Sequence, residues 1–293
     1  MANPGDTLIF VADEQKYFTS NGINITLKTY ANGLLATDAM LAGEADLAYA
    51  TEFVVAGKAL EGQPISIVTT YSTNNTVSIA VLNDRGINGI ADLKGKKIGL
   101  ARGTINEFYL VRMLGLNSIS SNEVTLVDVS PTGMAEALSH GTVDAVVAGS
   151  KNLYPVTKQP GNDVLLWPAH SGQPAFGVLS GRNDWLADHS ASLARLMTAL
   201  AQAEEYVEHN PGSAMQIVQN RLEIDDVYMA LVWEEYEFAL SLSQPLILAM
   251  EDEARWMLNN NMVAQQKVPN FLDFIFADCL KIAKPTAVKV AGK

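Results

Sequence analysis

The sequence predicts an α/β protein made of two similar lobes and a helical C-terminal region. Three observations predict it. Strand and helix signals alternate over the first two-thirds of the chain. From about Asp184 onward the signal is almost entirely helical. An internal echo also joins "AMLAGEAD" (39–46) to "ALSHGTVD" (137–144). Each copy ends a helix with Gly and starts a short strand after Asp. Two copies about one lobe apart, in matching contexts, argue for two similar lobes over chance punctuation.

In chain order, "NPGDTLIFVADEQ" reads as the first helix. "INITLKTY" (23–30) alternates apolar and polar residues as a half-buried strand does. "LLATDAMLAG" is helical and stops at Gly43. "ADLAYA" is a strand, "EFVVAGKALEG" a helix closed by Gly62, and "PISIVTTY" and "VSIAVLND" are strands. The strand "KKIGLA" follows. Helix 104–115, strand 123–129, helix 132–140 and strand 143–148 come next, and "DVLLW" and "FGVLSG" are the last strands. Strands separated by helices argue for parallel sheets covered on both faces. The helical remainder breaks at Asn210-Pro211 and resumes to Ile282.

Composition narrows the function. The chain has 293 residues, 48% apolar and 18% charged, long enough for two well-cored domains. Its formal charge of −12 comes with no basic cluster, which argues against a nucleic-acid partner. Any anion site must therefore be made locally. The single cysteine, Cys279, lies in the apolar pattern "FIFADCLKIA" and reads as a buried, inert thiol. No zinc spacing, cofactor motif or membrane-length apolar run occurs. The abrupt opening "MANPGDTLIF" is read as the loss of an upstream segment, so the lack of a signal peptide leaves the compartment open.

Ligands of open α/β sheets bind beyond the carboxyl ends of the strands. The candidate loops are Thr51-Glu52, Ser72-Thr73-Asn74, Arg102 to Asn106 and Ser150-Lys151-Asn152, with "HSGQPA" (170–175) as a fifth. In "KKIGLARGTINEFYLVR" a strand runs through Gly103-Thr104 into a helix. The free N–H groups and partial positive charge of a helix start suit a carboxylate or sulfonate. Gly103 lets a ligand approach, and Thr104 either donates to that ligand or only caps its helix. Glu52 either faces a ligand amine or Lys151, or sits on a helix start because acids are favoured there. Lys151 reads equally as a solvated lysine. His140, His170, His189 and His209 are scattered, and only His170 falls in a candidate loop. Trp233, Tyr236, Phe238 and Trp256 read as core packing between helices. No catalytic triad, carboxylate pair or metal constellation can be assembled.

"GINGIADLKGKKIGLARGTINEFYLVRML" resembles the second-lobe signature of nitrate/sulfonate/taurine-type solute-binding proteins, including their thiamine-precursor-like relatives. Gly86-Ile87, Asp92 to Gly99 and Gly103-Thr104 carry the match. "ADEQKYFTSNGINITL" resembles the first-lobe signature, and both echo copies match the repeated Ala-Leu-x-x-Gly-x-x-Asp. Departures are the missing strand before the first helix, Lys16 and Asn21 in the first signature, and Gly149-Ser150-Lys151 after the second echo.

The resemblance implies a type II periplasmic-binding fold, with lobes at 1–76 plus 183–293 and at 77–182, joined by two crossover strands. It implies a small solute, a sulfonate, amino acid or pyrimidine-like molecule, captured between the lobes and delivered to an ABC permease outside the cytoplasm. The expected ligand contacts are Thr51, Glu52, Ser72, Thr73, Asn74, Gly103, Thr104, Asn106, Ser150, Lys151 and Gln173. The protein is expected to be monomeric, non-catalytic and free of metal or cofactor. A sensor input domain is the alternative. A branch that makes the thiamine pyrimidine uses a cysteine-rich motif absent from this chain.

Overall fold

The computed structural model describes residues 3–158, 163–264 and 267–291. In chain order the helices and strands are α1 (Thr7–Glu14), α2 (Tyr17–Ser20), α3 (Gly33–Leu41), β1 (Leu47–Thr51), α4 (Glu52–Leu60), β2 (Ile65–Asn74) and β3 (Val77–Leu82). Then come β4 (Lys97–Leu100), α5 (Ile105–Leu116), β5 (Thr125–Asp128), α6 (Met134–Ser139), β6 (Ala145–Gly149), α7 (Ser150–Lys158), β7 (Val164–Pro168) and β8 (Ala175–Arg182). The remainder is α8 (Asn183–Asp188), α9 (Ser190–His209), α10 (Pro211–Leu222), α11 (Asp226–Trp233), β9 (Tyr236–Glu237), α12 (Gln244–Asn259) and α13 (Asp278–Ala283).

The chain divides into two compact units, residues 1–74 with 175–293 and residues 75–174. The first holds a sheet of order β1-β8-β2-β9, and the second a sheet of order β5-β4-β6-β3-β7. In the second sheet β4 pairs in parallel with β5 and β6, while β3 runs antiparallel to β6 and β7. In the first sheet every pairing is antiparallel. The expectation of wholly parallel sheets is therefore corrected to a mixed arrangement. In the first sheet the cause is topological: β8 is the strand that returns to the first unit, and it enters between β1 and β2 from the opposite direction. Because β8 pairs with β1 and β2, it belongs to the first unit, which resumes at Ala175, ahead of the boundary expected at residue 183.

The internal echo is the same helix stop built twice. At the first copy, Gly43 takes φ +82°, its N–H donates to the Met40 carbonyl, and the Glu44 N–H donates to that of Ala39. At the second copy, Gly141 takes φ +68°, with Gly141 N–H on Leu138 and Thr142 N–H on Ala137. Both are Schellman closures, and a left-handed residue there favours glycine. Met40 and Leu138, at matching places, are fully buried. After the Asp of each copy comes a sheet strand, β1 or β6.

The predicted strand at 23–30 is not one. The segment forms no regular structure, and Ile25 and Leu27 are exposed. Its alternation suits a strand, but a strand needs a hydrogen-bonded neighbour, and among the described residues β1 pairs only with β8.

The core of the second unit packs Leu138, Val143, Val146, Ala148, Leu153 and Val156 between sheet and helices. In the first unit, side chains press close against the backbone at Gly177 of β8. A Cβ there would lie 2.3 Å from Ser72 Oγ and 2.6 Å from the Tyr49 hydroxyl. Gly177→Ala is expected to destabilise the protein by roughly 1–3 kcal/mol through overpacking. Gly89→Ala, where nothing lies within 4 Å of the new methyl, is expected to be near neutral. Paired chemical-denaturation curves check the contrast.

Candidate functional site

The candidate residues of the first unit converge on the start of β8. Thr51 and Ser72 both stand opposite Gly177, Thr73 opposite Phe176, and Asn74 opposite Ala175. Glu52 Oε2 accepts the Phe176 N–H at 2.9 Å. The strand ends of β1 and β2 thus meet on three residues of β8, because β8 is sandwiched between them. Thr51 occupies the position before α4 without capping it through its side chain.

Glu52 itself is fully buried. As the first residue of α4, its carboxyl receives its own N–H and that of Phe53, besides that of Phe176. A second fully buried acid, Glu253 of α12, lies within hydrogen-bonding reach of it. Burial is the main cause that pushes Glu52 up to about 8 and raises Glu253 well above the ordinary carboxylate range. Desolvation disfavours the charged form; at Glu253 the neighbouring Glu52 adds to that, whereas at Glu52 the hydrogen bond from Glu253 works the other way.

Beside these residues lies a tyrosine cluster that sequence reasoning missed. Tyr49 and Tyr71 pack ring on ring at 4.8 Å. The Tyr71 hydroxyl donates to Asp6 Oδ1 at 3.2 Å, and the Tyr49 hydroxyl shares a hydrogen with Ser72 Oγ at 3.4 Å. Tyr236 touches the same corner, since a Cβ on Gly5 would meet both the Tyr49 hydroxyl and the Tyr236 ring. Burial raises all three phenols above their ordinary range. Tyr49 and Tyr71 were hidden inside strand patterns, where tyrosine is an ordinary strand residue.

In the second unit the candidates lie at one end of the sheet. Strands β4 and β6 are parallel neighbours, so the starts of α5 and α7 share a side. The Ala169 N–H bonds Val77, and the Ser150 hydroxyl donates to Thr76, so the 170–173 turn and the start of α7 flank the same strand. Arg112 of α5 reaches the carbonyl of Ser171 at 3.1 Å. Lys151 is exposed, and Asn106 is half-buried on the first turn of α5. Gln173 Nε2 is buried with no acceptor among the described residues. Burial lowers the titration of His170, which favours its neutral form.

The Gly103-Thr104 helix start has a partner of its own. The Gly103 N–H, at φ +70°, donates to Glu107 Oε2 at 2.7 Å. Glu107 Oε1 pairs with Arg102 Nε at 2.9 Å, and the Glu107 side chain is only 9% exposed. The Thr104 hydroxyl turns back to the Ala101 carbonyl at 2.7 Å and does not cap the helix. The spacing Thr104-x-x-Glu107 carries the signal for this closure, since Ser/Thr followed three residues later by Glu is the capping-box pattern. Here the glutamate reaches one residue further back, to Gly103.

A family model described as "NMT1/THI5 like" matches residues 3–214. The chain belongs to this NMT1/THI5-like family. It is 29% identical over 220 residues to a Haemophilus influenzae protein named as a thiamine biosynthesis protein, covering 73% of this chain and 68% of that one. It is 27% identical over 226 residues to the 4-amino-5-hydroxymethyl-2-methylpyrimidine phosphate synthase of Uromyces fabae, covering 72% of this chain and 65% of that one. Among solved structures it resembles the periplasmic aliphatic sulphonate binding protein of Escherichia coli, with a TM-score of 0.81, 15% identity, and 92% and 94% of the two chains covered. The fold is thus that of the periplasmic binding proteins. Among the described residues no helix is long and apolar enough to cross a membrane.

Glu107→Ala is expected to cost about 1 kcal/mol, the usual weight of a helix-start acceptor, and to speed amide exchange at Gly103. Glu107→Gln keeps an acceptor for Gly103 but loses the Arg102 pair, so its loss should be smaller. Exchange measured by NMR on the three proteins checks the order.

Proposed function

We propose that the chain is an extracytoplasmic receptor that captures a small anionic or zwitterionic solute, without turnover, and hands it to an ABC permease. The observation that supports this reading best is the fold shared with a periplasmic sulphonate-binding protein. The polar strand ends agree with it. In the first unit they form a hydroxyl- and tyrosine-rich corner around Ala175–Gly177. In the second they form a donor-rich end made by Ser150, Lys151, Arg112 and Gln173.

The seat of the solute's acceptor group differs from the simplest reading of Gly103-Thr104. Glu107 already takes the Gly103 N–H and pairs with Arg102. A second anion there would meet a carboxylate. The first turn of α7 has no acidic residue. A helix start without its own acid keeps its partial positive charge for a ligand, and Lys151 adds a full one. The acceptor group is therefore assigned to Ser150-Lys151, with the buried Gln173 amide as a further donor.

A relative named as a pyrimidine phosphate synthase makes turnover the competing outcome. Cys279 is an unsuitable nucleophile, since it is 1% exposed and burial pushes its thiol up to about 11.

A thermal-melt screen of sulfonates, nitrate, amino acids, pyrimidines and polyamines at ~1 mM tests the proposal. A solute present at about 100 times its dissociation constant should add roughly 2.7 kcal/mol and raise the melting temperature by several degrees. Lys151→Ala is expected to weaken the hit at least tenfold, and the recovered solute should be chemically unchanged. Conversion of the solute, or undiminished binding by Lys151→Ala, would overturn the assignment.

A further inference from the structure

The pair formed by Glu52 and Glu253 belongs to the first unit, and the proposed capture does not use it. Both side chains are 0% exposed. Glu52 Oε2 has the Phe176 N–H, but Glu52 Oε1 and both Glu253 oxygens receive no hydrogen bond from a donor group. Two bare carboxylates within reach of each other inside a protein would repel and would leave three acceptors dry. A proton on one of them removes the repulsion and gives two of the three oxygens a partner, because a protonated carboxyl donates to its neighbour.

The charges around the pair offer no other remedy. From β1, Tyr49 faces Glu52 as a neutral phenol. From α12, Asp252 adds negative potential at Glu253. The nearby Arg255 is spent on Glu251 and Asp252 on the exposed face. From α4 and β8 come only backbone N–H groups.

We propose that Glu52 and Glu253 are joined by a shared proton, and that this proton is a pH-sensitive latch holding α12 against the start of α4 and the Phe176 end of β8. In the latched form Glu253 donates its proton to Glu52 Oε1, while Glu52 Oε2 keeps the Phe176 N–H. Loss of the proton puts two like charges between α4 and α12, the helices whose Phe53 and Trp256 rings pack at 6.0 Å.

The sign follows from linkage. An unfolded glutamate loses its proton near 4.5, whereas burial and the neighbouring Glu52 charge hold the Glu253 proton well above that range. The folded state therefore binds more protons than the unfolded one across that window. The stability is complete below about 4.5 and is lost as the pH rises through the raised range of Glu253.

The experiment measures melting temperature from pH 5.5 to pH 9 for the wild type, Glu253→Gln and the Glu52→Gln/Glu253→Gln double variant. It adds infrared spectra of the wild type and Glu253→Gln at pH 7. The wild type is expected to lose roughly 5 °C or more beyond any loss in the double variant, at the few degrees per kcal/mol usual for this size. The infrared difference should contain a protonated carboxyl band. Parallel pH profiles for wild type and double variant would overturn the proposal. So would the lack of that band, which remains readable on the wild type should the double variant fail to fold.

Discussion

The first unit depends on one pairing, the entry of β8 between β1 and β2. Residues 1–74 leave that sheet without its middle strand, and the chain supplies it only after the whole of 75–174 has been threaded. The contacts that complete the sheet are therefore long-range, and such contacts form late because loop closure comes before its reward. The same pairing builds the polar corner. Thr51, Ser72, Thr73 and Asn74 come from two strands that do not pair with each other, and they meet because each registers on Ala175–Gly177. Gly177 has no side chain because the Tyr49 and Ser72 hydroxyls occupy the space one would fill.

A second constraint is electrostatic. A chain of net charge −12 has no general attraction for anions, so it must concentrate positive potential where a ligand needs it. Helix starts are the obvious source. Yet α4 and α5, two helices that follow strand ends, carry their own acid, Glu52 and Glu107. The third, α7, begins Ser150-Lys151 and carries none. The distribution of acids among these helix starts is thus itself a selection of where an acceptor group can sit.

Most of the fold was legible because its signals are local. Glycine stops, strand runs and the Asn210-Pro211 break all fix structure within a few residues. The two echo copies were readable as one device because a Schellman stop needs the same residue types each time. What was hidden depended on partners distant in sequence. The alternation at 23–30 carries a strand's pattern, but no sequence window shows whether a neighbour will be there to pair with it. The antiparallel pairing of the first sheet follows from where β8 enters, which is topology and not propensity. Glu253 sits on the buried stripe of α12 with Leu246, Met250 and Met257. A glutamate on such a stripe is a visible anomaly, but its meaning needed Glu52, some 200 residues earlier. Glu107 is the reverse case, since its Thr-x-x-Glu spacing is local and readable in the sequence itself.

Glu52 and Glu107 show how little residue type alone decides. Both are glutamates in the first turn of a helix that follows a strand, and both take backbone N–H groups at its start. Glu107 has Arg102 against it at 2.9 Å and takes the Gly103 N–H, so its charge is matched by a guanidinium and a helix start. Glu52 has no cation and is completely buried, so desolvation outweighs both the N–H groups and the hydrogen bond from Glu253. The first closes a helix end against anions by supplying one. The second ties a helix end to α12 by supplying a hydrogen bond that exists only while a proton is present. The difference lies in what stands opposite each carboxyl, which is set by the packing of β8 and α12 and not by the sequence around either glutamate.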